Sequence, residues 1–175
     1  NGPSVSLSSP LTLSSQLYCQ SGVFTTNNHD VNTGSNFQIL VTQNATMTLN
    51  LGTSSITTSS YYYSYTRWST PSYGDLVMNN SQATYLFNGS NYSDESGRQG
   101  LQSDWKEIIT NKSSTDNINF YSYGDIDRLV QKGNGQIRLH QTSRNNGGPH
   151  GNNLTKIGYA EIKNSANFTG NVSFT

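Results

Sequence analysis

Phe37-Gln38-Ile39-Leu40-Val41 and Met47-Thr48-Leu49-Asn50-Leu51 decide the fold class of this chain. In the second run Met47, Leu49 and Leu51 alternate with Thr48 and Asn50. That period of two puts apolar side chains on one face of a strand and polar ones on the other. Comparable short runs follow at Tyr61 to Trp68, Ala83 to Phe87, Trp105 to Ile109 and Ile118 to Tyr121. Others are Gln136 to His140, Ile157 to Ile162 and Val172 to Phe174. Clusters of Gly, Asn, Ser and Pro separate them. Lys132-Gly133-Asn134-Gly135 ahead of Gln136 predicts a hairpin, because Asn-Gly accepts the positive φ of a tight turn. Asn88 to Gly100 and Ser143 to Asn153 read as long polar loops. Asp125 to Gln131 is the one place for a short helical turn, and no helix of ten residues is indicated. Nothing repeats at a fixed period. Many short strands without helices predict an all-β sandwich or jelly roll.

A chain of 175 residues forms one domain of ordinary size, spanning 1–175. The Ser/Thr/Asn-rich residues 1–35 read as an edge strand and a peripheral, flexible approach. Ten Lys and Arg balance ten Asp and Glu. That balance gives no electrostatic reason to expect nucleic acid or an anionic membrane as partner. Polarity comes from Asn, Ser, Thr, Gln and Gly, alongside 11 tyrosines. Many aromatic and β-branched residues argue against disorder and for a folded domain with a hydrogen-bonding surface. Cys19 is the single cysteine, so no disulfide closes within the chain, and a buried thiol is its default role. No apolar stretch approaches membrane-spanning length. The absence of an initiator Met and of a signal peptide suggests a fragment or a processed form.

Eight Asn-x-Ser/Thr triplets begin at Asn44, Asn79, Asn88, Asn91, Asn111, Asn153, Asn167 and Asn171. A chain this rich in Asn, Ser and Thr produces such triplets by composition, and that is the preferred explanation. His29, His140 and His150 lack the close spacing of zinc ligands, and no metal or cofactor is expected. Asp94-Glu95 and Asp104 would be the carboxylates of a glycosidase, but nothing sets them across a cleft. There is no nucleophile elbow or phosphate loop, so the chain is not expected to be an enzyme. Tyr61-Tyr62-Tyr63-Ser64-Tyr65 before Arg67-Trp68 suits sugars better. Alternation puts Tyr61, Tyr63, Tyr65 and Arg67 on one face. Flat rings cover C–H patches, and a guanidinium fork donates parallel hydrogen bonds. A core strand whose hydroxyls reach the rim explains the same residues. Lys156-Ile157-Gly158-Tyr159 is a second candidate, where Gly158 permits close approach of a ligand or of another backbone.

A series of landmarks carries a family resemblance. They are Arg67-Trp68, Tyr85-Leu86-Phe87, Gln102, Trp105-Lys106 with Ile108, and Tyr123-Gly124. Asn134-Gly135 with Ile137, Lys156, and Asn167-Phe168-Thr169 complete the series. Their order and spacing resemble the trypsin-released head domain of rotavirus outer-capsid spike proteins. The resemblance covers Trp68 to Phe174, more than half of the chain, and upstream only Asn1-Gly2-Pro3 is similar to the family's start.

The resemblance implies a galectin-like β-sandwich with a cleft between two antiparallel sheets. It implies a lectin on the virion surface that binds host cell-surface oligosaccharides, with the remainder of the spike as its other partner. By position it gives the glycan site as Arg67, Ser113, Tyr123, Lys156, Ile157, Gly158 and Tyr159. It gives Ile137 to an alternative groove. Sialic-acid binders of the family have two aromatics directly after the basic residue. Here Ile157 and Gly158 stand there, which favours a neutral, blood-group type sugar over a sialoside. The residues also suit a bacterial fimbrial lectin domain, a secreted carbohydrate-active enzyme, or a structural capsid module without a ligand.

Overall fold

The computed structural model describes residues 2–41, 44–59, 61–65, 75–79, 82–89, 91–94, 105–112, 114–115, 117–121, 126–140, 155–162, 166–169 and 172–174. The first twelve strands are β1 (Ser4–Ser6), β2 (Leu11–Leu13), β3 (Leu17–Cys19), β4 (Gly22–Thr25), β5 (Val31–Thr33), β6 (Asn36–Leu40), β7 (Thr46–Asn50), β8 (Ser55–Thr58), β9 (Tyr61–Tyr65), β10 (Asp75–Asn79), β11 (Thr84–Phe87) and β12 (Asn91–Asp94). The others are β13 (Trp105–Thr110), β14 (Asn117–Tyr121), β15 (Ile126–Gln131), β16 (Gln136–His140), β17 (Thr155–Glu161), β18 (Ala166–Thr169) and β19 (Val172–Phe174). Among the described residues every strand pair is parallel.

The strands stack in three sheets. Sheet A is β1-β4-β7-β10, sheet B is β2-β5-β8-β11-β13-β15-β17-β19, and sheet C is β3-β6-β9-β12-β14-β16-β18. The chain passes from A to B to C and returns to A one rung on. It is a β-solenoid of about 4 turns, with further described strands extending the ladders of B and C. This overturns the expected galectin-like sandwich and its cleft between antiparallel sheets. Both architectures use short strands with one buried face, so local alternation is common to them. They differ in which strand pairs with which, and here the partner lies a whole turn away.

The turn length is not constant, which hides the repeat. In sheet B, Val31 pairs with Leu11, 20 positions earlier, and Ile56 with Val31, 25 earlier. Tyr85 follows Ile56 by 29, Ile108 follows Tyr85 by 23, Leu129 follows Ile108 by 21, and Ala160 follows Leu129 by 31. Residues 66–74, 95–104 and 141–154, outside the described set, fall within these intervals.

The core is built from columns along the solenoid. Val31, Ile56, Tyr85, Ile108 and Leu129 form one column and are all buried. Trp105, Ile126 and Ile157 form a second in sheet B. Phe24 and Leu49 face them from sheet A, and Phe37 and Ile39 from sheet C. Burying each large apolar side chain contributes about 1.5–3 kcal/mol. The Tyr85 and Trp105 rings lie 5.1 Å apart at 50°, a tilted contact of the kind aromatic pairs favour.

Corners are fixed by side chains from the neighbouring rung. Asn27 and Asn28 adopt φ of 52° and 64° between β4 and β5, a conformation Asn tolerates well. Asn28 Oδ1 then accepts from the Thr53 backbone N at 3.0 Å, and Asp30 Oδ1 from Ser55 N at 2.8 Å. The Thr26 hydroxyl donates to the Leu51 carbonyl at 2.8 Å and accepts from the Ser54 hydroxyl at 2.8 Å. On sheet A, Asn79 Nδ2 donates to Asn50 Oδ1 at 2.7 Å, and Asn50 Nδ2 to Thr25 Oγ1 at 3.2 Å. Such amide ladders need identical spacing of stacked strands, which a parallel solenoid supplies.

Three local expectations are also corrected. Lys132 to Gly135 is not a hairpin turn, because β15 and β16 belong to different sheets. It is a corner that rests on the rung below. Gly133 N and Asn134 N donate to the carbonyls of Thr110 and Lys112 at 3.2 and 2.8 Å. Residues Ile126–Gln131 form strand β15, not a helical turn, because Ile126, Leu129 and Val130 are drawn into the core. Residues 1–35, expected to be peripheral, contain β1 to β5 and the buried residues Phe24, Val31 and Thr33.

Candidate functional site

The two long sheets present different surfaces. On sheet B, Lys106 Nζ lies 2.9 Å from Asp127 Oδ2. Arg128 pairs with Glu107 on one side and reaches Glu161 at 3.6 Å on the other. Register sets this pattern: Glu107 stands beside Arg128, and Arg128 beside Tyr159. The charges neutralise one another, and exposed pairs of this type contribute about 0–1 kcal/mol each.

Among the described residues, no such charged ladder is seen on sheet C. In β6, half-buried Asn36 and Gln38 alternate with buried Phe37 and Ile39. Phe37 and Ile39 therefore face the core, and Asn36 and Gln38 belong to the opposite face. Gln38 stands beside Tyr18 and Tyr63 in the ladder, Tyr63 beside Ser93, and Ser93 beside Tyr121. Asn36 stands beside Tyr61, Tyr61 beside Asn91, Asn91 beside Asn119, Asn119 beside Arg138, and Arg138 beside Asn167. These two columns hold Tyr, Asn, Gln and Ser with one cation. Tyr18 is 40% exposed, and its hydroxyl accepts from Gln20 Nε2 at 3.4 Å. Arg138 is exposed. Among the described residues, buried Asn36 Oδ1 has no hydrogen-bond donor, so this face holds an acceptor of unused capacity.

The residues singled out in the sequence are dispersed. Ile137 is buried between Ile118 and Ala166 in the ladder of sheet C, and Ile157 is buried beside Ile126 in sheet B. Both are core residues. Lys156, Gly158 and Tyr159 lie on β17, a strand of sheet B paired on both sides. Gly158 carries no bulge, since Ile157 and Tyr159 keep the same register with β15. Its glycine is required by a neighbouring backbone: a Cβ there would lie 2.7 Å from the Asp127 carbonyl oxygen. Arg67, Ser113 and Tyr123 lie outside the described residues, as do Glu95, Asp104 and His150. Tyr61, Tyr63 and Tyr65 share β9, and Asp94 ends β12. Among the described residues, no three His, Cys, Asp or Glu side chains come together as metal ligands.

Sequence reading missed Tyr18, Asn36, Gln38, Asn119 and Arg138 as companions of the tyrosine strand. Only register brings them beside it, and register across unequal turns is not readable from alternation. Elsewhere, an open groove of about 610 Å³ lies against β4 and β7, lined by Ser21, Val23, Ala45 and Thr46 among others. Among the described residues that line it, none is aromatic or charged. Comparison with known protein families, curated proteins and solved structures finds no match.

Proposed function

We propose that this chain is a non-enzymatic glycan-binding module, and that its sugar surface is the polar face of sheet C. The observation that carries this reading is the column Tyr18, Gln38, Tyr63, Ser93, Tyr121, flanked by Asn36, Tyr61, Asn91, Asn119 and Arg138. Parallel stacking repeats these positions at the strand spacing, about 4.8 Å. A flat row of this kind suits an extended oligosaccharide. Tyrosine rings cover C–H faces, while amides and one guanidinium serve the hydroxyls. Solenoids commonly use such extended surfaces for binding.

The host-attachment role follows from the order of the motifs between Arg67 and Thr169, and from nothing in the fold. Under that reading the module sits on a virion surface and meets cell-surface oligosaccharides. One arginine among amides and hydroxyls favours a neutral sugar over a sialoside. Weak single sites then gain from display in many copies, by about 10² to 10⁴.

The test is a mammalian glycan array probed with the multivalently displayed chain, with and without sialidase. Signal on neutral structures that sialidase leaves unchanged supports the proposal. Signal that sialidase removes overturns the neutral-sugar assignment, and a blank array overturns the glycan reading.

A further inference from the structure

The column of sheet C that passes through Gln38 alternates. From rung to rung it reads Tyr18, Gln38, Tyr63, Ser93, Tyr121. Aromatic positions fall on every second rung, and polar positions on the rungs between. Tyr18 is 40% exposed, while Gln38 on the next rung is half-buried. The Tyr18 hydroxyl accepts from Gln20 Nε2 and keeps its own proton to donate. Core packing does not impose this alternation. The ladder beside it, which contains buried Phe37, runs Phe37, Tyr62, Tyr92, Phe120, Leu139 and Phe168, aromatic or apolar at every rung. Strand spacing puts successive tyrosine positions of the alternating column roughly 9.6 Å apart, and the outer two about 19 Å apart.

We propose that this column reads a linear chain of β-1,4-linked glucose-type pyranoses laid along the solenoid axis, and reads it along its length, not at its tip. The inference rests on the glycan reading of sheet C. Equatorial β-1,4 links keep such a chain extended and turn each ring over relative to the one before. The repeat of the ligand is therefore two sugars, close to two strand spacings, and the repeat of the column is two rungs. One face of every second sugar meets a tyrosine. Equatorial hydroxyls leave axial C–H groups on that face for the aromatic ring to cover. The sugars between come over Gln38 and Ser93, whose amide and hydroxyl both donate and accept. Asn36, Asn91 and Asn119 stand in the flanking column, on the same strands as Gln38, Ser93 and Tyr121. They lie on the side where the edge of the chain presents its hydroxyls. An α-1,4-linked chain coils and loses the match. A branched terminal sugar occupies a rung or two and leaves the other tyrosine positions unused. Five sugars span the column from Tyr18 to Tyr121.

Titration calorimetry of the whole chain tests this, with chito- and cello-oligosaccharides of two to six sugars and malto-oligosaccharides of the same lengths. The expected result is binding of one or both β-1,4 series that tightens by about ten-fold from two sugars to five and then levels off, with the malto series about ten-fold weaker or more. Tyr18→Ala, at an exposed position of the column, should weaken binding of five sugars by about ten-fold with the circular dichroism unchanged. Affinity that does not depend on length overturns the proposal. So does equal binding of the malto series, or a Tyr18→Ala variant that binds five sugars as before. Absence of binding to both β-1,4 series while the glycan array gives signal also overturns it, and leaves sheet C as a reader of other sugars. Failure of every sugar, on the array and in solution, overturns the glycan reading itself. The length series on the unaltered chain decides the matter even if Tyr18→Ala fails to fold.

Discussion

The hydroxyl oxygens of Thr58 and Tyr85 lie 2.6 Å apart in the core, one on β8 and the other on the next rung of sheet B. Both residues are fully buried. Thr58 sits diagonally from Tyr85, because Tyr85 pairs with Ile56 and Phe87 with Thr58. The contact exists only where strands 29 positions apart lie side by side.

Tyr85→Phe should therefore destabilise the fold beyond its small change in shape. It leaves the Thr58 hydroxyl buried without this partner, at a cost of about 1–3 kcal/mol. Adding Thr58→Val should recover part of the loss, so the double variant costs less than the two single effects together. Urea unfolding of the four proteins checks this. Strict additivity would mean the two hydroxyls do not meet.

Alkaline pH should weaken the fold. Burial pushes the Cys19 thiol from 9.0 up to about 12. Burial also pushes the Tyr85 phenol well above its ordinary 10.0, with the Thr58 hydrogen bond acting the other way. Raised values mean that the folded state holds these protons more tightly than the unfolded chain does. The resulting stability is complete below the unfolded values and is lost as pH rises from about 9 toward the folded ones. Unfolding free energy should fall through that window, and Cys19→Ala should flatten the decline. The thiol should also resist alkylation at neutral pH until the chain unfolds.

Corner glycines should be intolerant for a steric reason. A Cβ on Gly133 would lie 2.2 Å from the Lys112 carbonyl oxygen, and one on Gly34 would lie 2.5 Å from that of Ser14. Either Gly→Ala change forces successive corners apart, at about 1–3 kcal/mol. Thermal melts of both variants check this. An unchanged melting temperature for either would mean that these corners do not stack.

Much of the local structure is legible in the chain. The runs at 37–41, 47–51, 105–109, 136–140 and 172–174 match strands β6, β7, β13, β16 and β19 to within a residue. Alternation locates a strand, since a buried face imposes it in any sheet. It does not choose a partner, and Asn134-Gly135 shows the limit. The dipeptide marks a tight corner, but whether the chain folds back or moves to another sheet depends on Lys112 and Thr110 beneath it. The tyrosine strand was legible as a sugar-binding candidate for its composition. Its neighbours Tyr18, Gln38 and Arg138 were not, because unequal turns of 19 to 30 positions separate successive rungs of sheet C. Ile137 and Ile157 looked like site residues by motif position, while their apolar character already suited the core they fill.

The most direct measurement compares glycan binding by Arg138→Ala, Tyr18→Ala and Arg128→Ala. All three residues are exposed, so each variant should fold like the unaltered chain. Arg138 and Tyr18 belong to the columns of sheet C, and Arg128 to the charged ladder of sheet B. The account predicts that the first two variants lose binding and the third keeps it. Binding that survives Arg138→Ala and Tyr18→Ala but fails with Arg128→Ala would contradict it and place the sugar on sheet B.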